Sequence, residues 1–498
     1  MVSLQKGQGN PECCVDPQGT TMSATQQTRV TIPELTPEER RCRFEHILYP
    51  YSREEAMLEA QRCLQCAMPY CVQACPITQD CKGYIAQVAK GDFDAAAKVT
   101  LLGNPLATVL CKSCYHYCEE DCVKKDRGVP IAIRHLKRAS LEYGRSDLAY
   151  VPMPSRGERV AVVGGGPAGL MATWELCLRG YSVTLFEKEP FLGGQVETIP
   201  KYHLDGDELP TDLARFRNFD LKIETGRKAG VDFKPEDLLK EGYLAVYLAV
   251  GASAPGKIKI PGEELPGVFH ALPFLLASNK NPESFLGRRD RVPVVIGGGD
   301  VAMDAARSCV RFFRDHPTTV VYRRGREAMP ATEEESEGCD IEGVNFLWWR
   351  APVRILGSDH VEGLVIQRTE LGPPDARGKR NVVLVPGTEE TLACDTVIIA
   401  AGQVADLEGF SPSLDLKAPR GWPEGKQEDW ATGIEGIFAS GNKSIVFAMS
   451  AGTKVAEAID AYIAKKKGRN PIPRPDPFGG PEPAQIYPEG YGEPTWVL

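Results

Sequence analysis

RVAVVGGGPAGLMATWELCLRGYSVTLFEK, residues 159–188, is the stretch on which the fold turns. A short apolar run, a glycine turn, a helical segment and a second apolar run ending in an acid follow in the order of a parallel α/β unit. Gly164, Gly166 and Gly169 stand where glycine allows, in turn, a tight bend, the approach of a pyrophosphate, and close packing of helix on strand. Pro167 and Ala168 open the helix, whose positive end would face the phosphates. Glu187, 18 residues after Gly169 and followed by Lys188, ends the second strand where a carboxylate accepts both ribose hydroxyls. The unit predicts a site for FAD or NAD.

A second unit, RVPVVIGGGDVAMDAARSCVRFFRDHPTTVVYRRGRE, spans residues 291–327 with Gly297, Gly299 and Ala302 at the fingerprint positions and Asp300 and Val301 at the helix start. Its second strand ends in Arg323-Arg324, with Arg326 close behind, and not in an acid. A carboxylate there would repel a 2′-phosphate, whereas guanidinium groups pair with it, so this unit is expected to prefer NADP.

Around these units the chain has 498 residues, and since single cores stop growing near about 250–300 residues, two or three domains are expected. The balance of 42% hydrophobic and 25% charged residues excludes disorder, collagen-like repeats and coiled coil as whole-chain readings. No stretch approaches the roughly 18 apolar residues of a spanning helix, and the N-terminus lacks an apolar signal core, so a cytoplasmic protein is expected. A net charge of −9 with no basic tract argues against nucleic acid as a partner.

Of the 16 cysteines, twelve precede residue 123, and in a reducing compartment metal ligation is the better reading than disulfides. Cys63-x2-Cys66-x4-Cys71-x3-Cys75-Pro76 is followed by Cys111-x2-Cys114-x3-Cys118-x3-Cys122, eight thiols in two runs of four. One four-cysteine zinc site built from the pairs 63/66 and 111/114 would leave four cysteines without a task. The Cys-Pro end and the complement of eight favour two [4Fe–4S] clusters. Cys42 and Cys81 are expected as buried small side chains, and Cys13 and Cys14 as solvent thiols. A capping box at Ser52 and Glu55 starts a helix leading to Cys63 and Cys66. Residues 82–110 read as short helices broken at Gly91-Asp92 and Gly103-Asn104-Pro105, with another helix near 129–143.

RCLQCAMPYCVQACP, the GNPL before the second cysteine run, VVGGGPAGL with Glu187, IPGEELPGV, VVIGGGDVAMDAA, YRRGREAMPA, VIIAAGQ and EGIFASGN together resemble the family of the glutamate synthase small subunit. That family includes the N-terminal half of dihydropyrimidine dehydrogenase and the large subunit of ferredoxin-dependent NADP transhydrogenase. The resemblance implies an α/β protein with a helical N-terminal two-[4Fe–4S] domain, followed by glutathione-reductase-like FAD and NADP domains of Rossmann type. Its divisions would be a polar tail (1–35), the iron–sulfur domain (36–150), a first FAD-domain segment (151–257), the NADP domain (258–396), a second FAD-domain segment (397–467) and a proline-rich extended tail (468–498). It further implies FAD contacts at Gly194, Gln195, Gly251, Gly441 and Asn442.

Three departures from the family pattern stand out. The Glu or Gln that usually completes the second cluster corresponds to Lys137, so Cys111 is the expected substitute. The expected ligand sets are then Cys63, Cys66, Cys71 and Cys122 for one cluster, and Cys75, Cys111, Cys114 and Cys118 for the other. The usual Gly-Asp on the flavin side reads Gly441-Asn442, and IPKYHLDGDEL (199–209) replaces the usual segment near the isoalloxazine.

The implied function is an NADPH-linked FAD and iron–sulfur oxidoreductase subunit, passing electrons between NADP(H), flavin and clusters to or from a partner subunit or ferredoxin. No protein acid or base is required, because the cofactor carries the hydride chemistry. A glutamate synthase small subunit is one specific form of this reading, and an electron-relay or scaffold subunit that has lost nucleotide exchange is another class. A thioredoxin-reductase-like enzyme would need a CxxC near the flavin, and beyond residue 122 no two cysteines are close in sequence.

Overall fold

Ser52 accepts a hydrogen bond from the Glu55 backbone N–H while the Glu55 carboxylate accepts one from the Ser52 N–H, and this reciprocal cap starts the helix Arg53–Gln61. Asp80 and Asp92 cap Cys81–Lys90 and Phe93–Leu102 through their own side chains, and Gly91, at φ +79°, lets the chain turn between them. Ala107–Ser113 and Ile133–Tyr143 complete the helical domain. The last of these is buried around most of its circumference, Arg134, His135, Lys137 and Arg138 included, so its charged groups must find partners inside the protein.

The computed structural model describes residues 28–479 apart from 376, 377, 379, 420, 427 and 443. Cys13, Cys14 and the aromatic groups expected in the C-terminal tail lie outside the described residues. Val160, Val162, Ala245 and Tyr247 are fully buried, the signature of strands covered on both faces, and they belong to a five-stranded parallel sheet. Its order is 437–439, 245–248, 159–163, 182–186, 221–224. The second parallel sheet runs 268–270, 396–399, 293–296, 319–322, 345–348. A three-stranded antiparallel sheet (350–356, 363–374, 380–392) stands beside it.

The second sheet corrects one expected boundary. Val397, Ile398 and Ile399 pair with Val294, Val295 and Ile296 and with Val268, Phe269 and His270, so the run VIIAAGQ does not open the resumed FAD domain. The chain crosses back at Gln403-Val404, which pair with Ala254-Pro255 in a two-stranded link. A fully buried apolar strand fits the centre of either sheet, and the pairing partner decides which.

Two further expectations meet the structure. Cys42 is exposed at the end of the helix Pro37–Cys42, not buried. Residues 468–479 are extended and packed on the body: the Ile472 N–H donates to Asp460, and the Val151 N–H donates to Pro477 O. No helix among the described residues is long and apolar enough to cross a membrane.

Candidate functional site

Both glycine turns open on one cavity of about 1230 Å³, larger than the about 300–1,000 Å³ usual for a single ligand. Of the residues expected at the two nucleotide sites, Gly169 alone is absent from its wall. Gly169 packs instead: a Cβ there would lie 1.9 Å from Gly164 O. Gly164 is at φ +113°, and its Cβ would lie 2.4 Å from Ala249 O, so the tight turn excludes any side chain. Gly166 has open space where its Cβ would be, the nearest atom being the Gly194 Cα at 3.9 Å. In the second unit Gly297 is hemmed in by Ala400 O at 2.7 Å, while Gly299 faces open space up to Pro330 at 4.0 Å. Each turn therefore keeps one glycine for sterics within the protein and one whose free face borders the cavity, the cradle a diphosphate requires.

Glu187 is 6% exposed; its carboxylate accepts from the Gly165 N–H at 2.7 Å and the Glu189 N–H at 2.9 Å, which fixes it at the cavity wall. The Gln195 amide donates to Ala252 O and to Gln403 Oε1 at 2.6 Å, tying the first nucleotide unit to the crossing strand. Arg326 is locked to Asp340 at 2.5 Å. Arg323 and Arg324 make no ion pair among the described residues, and the Arg324 Nε is buried without a partner. An orphaned guanidinium nitrogen on the cavity wall fits an anion such as a 2′-phosphate. Asp300 is already engaged, accepting from Thr332 N–H and from Tyr115 O–H at 3.0 Å. Tyr115 follows Cys114 directly, so the second cysteine run itself forms a stretch of the cavity wall.

Cys63, Cys66, Cys71 and Cys122 line one small cavity. Burial, reinforced by the neighbouring thiols Cys71, Cys66 and Cys122, pushes Cys63 up to about 12. Burial, reinforced by Cys118 and Cys114, pushes Cys75 to about 12 as well. Thiols so placed ionise only against a compensating cation. Among the described residues no three thiols lie within the 4.8 Å spread of a single-ion site, whereas thiolates on one zinc would sit about 3.8 Å apart at a Zn–S distance of about 2.3 Å. Thiols spread around a void fit a polynuclear iron–sulfur core better than zinc.

Cys111 departs from expectation. Its S–H donates to Thr108 O at 3.0 Å, and the side chain sits in an apolar group with Ala97, Leu101, Ala107 and Leu141. The physical reason is local. The helix ends at Ser113 and Cys114 is extended (φ −78°, ψ 137°), so the two thiols of the CxxC do not share a direction. Cys81, expected only as a buried small side chain, is buried but also contacts Cys71 and Cys118, one thiol from each run. A fifth cysteine at the first position of the helix Cys81–Lys90 was the available signal.

Segment 199–209 lies off the cavity and braces the domains. Asp205 and Glu208 pair with Lys112, and Tyr202 lies beneath the Arg307 and Arg311 guanidiniums at 4.7 and 4.0 Å. His203 meets Glu335 at 3.1 Å and Asp304 at 3.5 Å, a trio with the donors of a metal site. Arg307 NH1 stands 3.3 Å from His203 Nε2 and 2.7 Å from Glu335, so a guanidinium already supplies the positive charge. Burial opposes the imidazolium, but Glu335 and Asp304 outweigh it and raise His203 from 6.5 to about 9. The folded value lies above the unfolded one, so this stabilisation is complete below about 6.5 and is lost as pH rises through about 9. His203→Gln is expected to flatten the fall of Tm with pH across that window; an unchanged slope would remove His203 from the account.

Helical domain and second sheet also meet where Arg134 pairs with Glu334 at 2.7 Å and His116 approaches the same carboxylate at 3.4 Å. Residues 40–147 match the family described as dihydropyrimidine dehydrogenase domain II, 4Fe-4S cluster, and residues 158–459 match pyridine nucleotide-disulphide oxidoreductase. The NADPH-type glutamate synthase small chain of Halomonas elongata is 32% identical over 456 residues, 86% of this chain and 96% of that protein. The chain belongs to the glutamate synthase small-chain family of pyridine nucleotide oxidoreductases. This oxidoreductase is also 32% identical over 426 residues to the NADP(+)-dependent formate dehydrogenase subunit beta of Moorella thermoacetica, covering 79% of the chain but 60% of that protein. FprA from Mycobacterium tuberculosis, solved with NADPH, shares the fold of the nucleotide-binding region at a TM-score of 0.54 and 20% identity, covering 63% of this chain and 86% of that one. No cysteine lines the oxidoreductase's large cavity, which leaves no dithiol there for thioredoxin-reductase-like chemistry.

Proposed function

We propose that this oxidoreductase binds NADPH and FAD in the shared cavity and carries electrons between them and two [4Fe–4S] clusters, to or from a partner subunit or ferredoxin. The observation that carries the reading is the single cavity reached by both glycine turns, by Arg323 and Arg324, and by Tyr115 beside Cys114. Gly164 and Gly166, with Glu187, Gly194, Gln195, Gly251, Gly441 and Asn442, would hold FAD; Gly297, Gly299, Val301, Ala302 and the two arginines would hold NADPH. A bound flavin supplies hydride acceptance and single-electron release. The chain's own task is to orient the two nucleotides on facing walls and to shield them from water. Cys63, Cys66, Cys71 and Cys122 would hold the outer cluster, where Met68 and Tyr70 stand 54% and 47% exposed and offer a partner an apolar contact.

The two relatives are a small chain and a beta subunit by name, which supports a hetero-oligomeric partner; a glutamate synthase pairing is one case of it. Anaerobic stopped-flow mixing with NADPH is expected to bleach the flavin band and then the broad cluster absorbance, with NADH markedly slower. A flavin left unbleached would overturn the enzyme reading in favour of a relay or scaffold subunit.

A further inference from the structure

The second cysteine group lacks a fourth thiol. Cys75, Cys114 and Cys118 influence one another's ionisation, whereas the Cys111 thiol is turned to Thr108 O, inside a separate apolar group. Lys137 stands on the helix Ile133–Tyr143, which packs against the helix carrying Cys111. Lys137 is 7% exposed, and among the described residues its ammonium makes neither an ion pair nor a hydrogen bond. Its charge is felt at both Cys111 and Cys114. A buried ammonium with no counter-charge is costly, so an anion belongs beside it, and an iron–sulfur core ligated by thiolates is one.

We propose that the second centre is held by three thiolates, Cys75, Cys114 and Cys118, and that Lys137 faces its fourth corner as a counter-charge and not as a ligand. The proposal rests on the two-cluster reading. The corner iron then has no ligand from the protein and is the one lost on oxidation. One electron passes to the oxidant, one Fe(II) leaves, and a core of three irons and four sulfides stays on the three thiolates. The outer cluster, with four thiolates, resists the same treatment.

The test is anaerobic holoprotein treated with ferricyanide, followed by EPR and iron analysis. The near-isotropic signal of an oxidised three-iron core is expected in the wild type, with the loss of one iron per chain. Cys111→Ser and Lys137→Met should show the same signal, and Lys137→Glu, which offers a carboxylate, should weaken it roughly tenfold or more. Roughly eight irons per chain with no three-iron signal would overturn the proposal alone. A signal confined to Cys111→Ser would make Cys111 the ligand, and one confined to Lys137→Met would make the lysine amine the ligand; either overturns it. Roughly four irons before oxidation would bring down the two-cluster reading and this proposal with it. Wild type and Cys111→Ser decide the matter even where a Lys137 variant fails to fold.

Discussion

Replacing Arg323 and Arg324 together with alanine is expected to weaken NADP+ binding roughly 100-fold or more while NAD+ binding changes by no more than about three-fold. Charge-assisted hydrogen bonds to a phosphate contribute about 1.5–3 kcal/mol each, and two guanidinium groups on one 2′-phosphate account for a change of that size. Both arginines lie on the cavity wall, and the Arg324 Nε has no partner, so neither has to be released from an ion pair before binding. Arg326 is the internal control. It is held by Asp340, and Arg326→Ala should leave the ratio of the two affinities unchanged. Calorimetric titration with NADP+ and NAD+ measures both constants. Equal losses for the two nucleotides would remove the 2′-phosphate from the explanation.

Gly166→Val is expected to yield a folded chain that has lost FAD affinity by roughly 1000-fold and is isolated without the yellow of bound flavin. Gly166 is at φ −78° and ψ −177°, extended backbone that any residue adopts, and nothing lies within 3.9 Å of its Cβ direction. The added side chain therefore meets the ligand and not the protein. Gly169→Ala is the contrasting variant: its Cβ would collide with Gly164 O, so it should lower Tm as well as flavin content. Flavin released per chain, read beside Tm, separates the two effects. A Gly166→Val chain that retains flavin would mean that the pyrophosphate does not pass over this turn.

Short-range chemistry accounts for what is legible in the sequence. The Ser52–Glu55 cap lies within four residues of chain, and the strand–turn–helix order of 159–188 follows from spacing alone. The steric duties of Gly164 and Gly169 are readable for the same reason. Longer-range choices are not. Residues 396–399 could sit in either sheet, because a fully apolar strand carries no mark of its neighbours. The CxxC at 111/114 suggests two ligands on one centre, but the helix end between them turns Cys111 inward.

His203, Asp304 and Glu335 are separated by about 100 and about 30 positions in the chain, and nothing local announces their meeting. Local order along the chain is enough to establish two nucleotide units, a cysteine-rich helical domain and the choice of arginine over acid at Arg323. Backbone sterics, capping and apolar period act within a few residues, so they are written in the chain. Which groups stand together over a cavity depends on packing between distant segments. That packing set Tyr115 beside Asp300, left the Arg324 nitrogen open, buried Lys137 without a partner among the described residues, and moved Cys111 out of the second cysteine group.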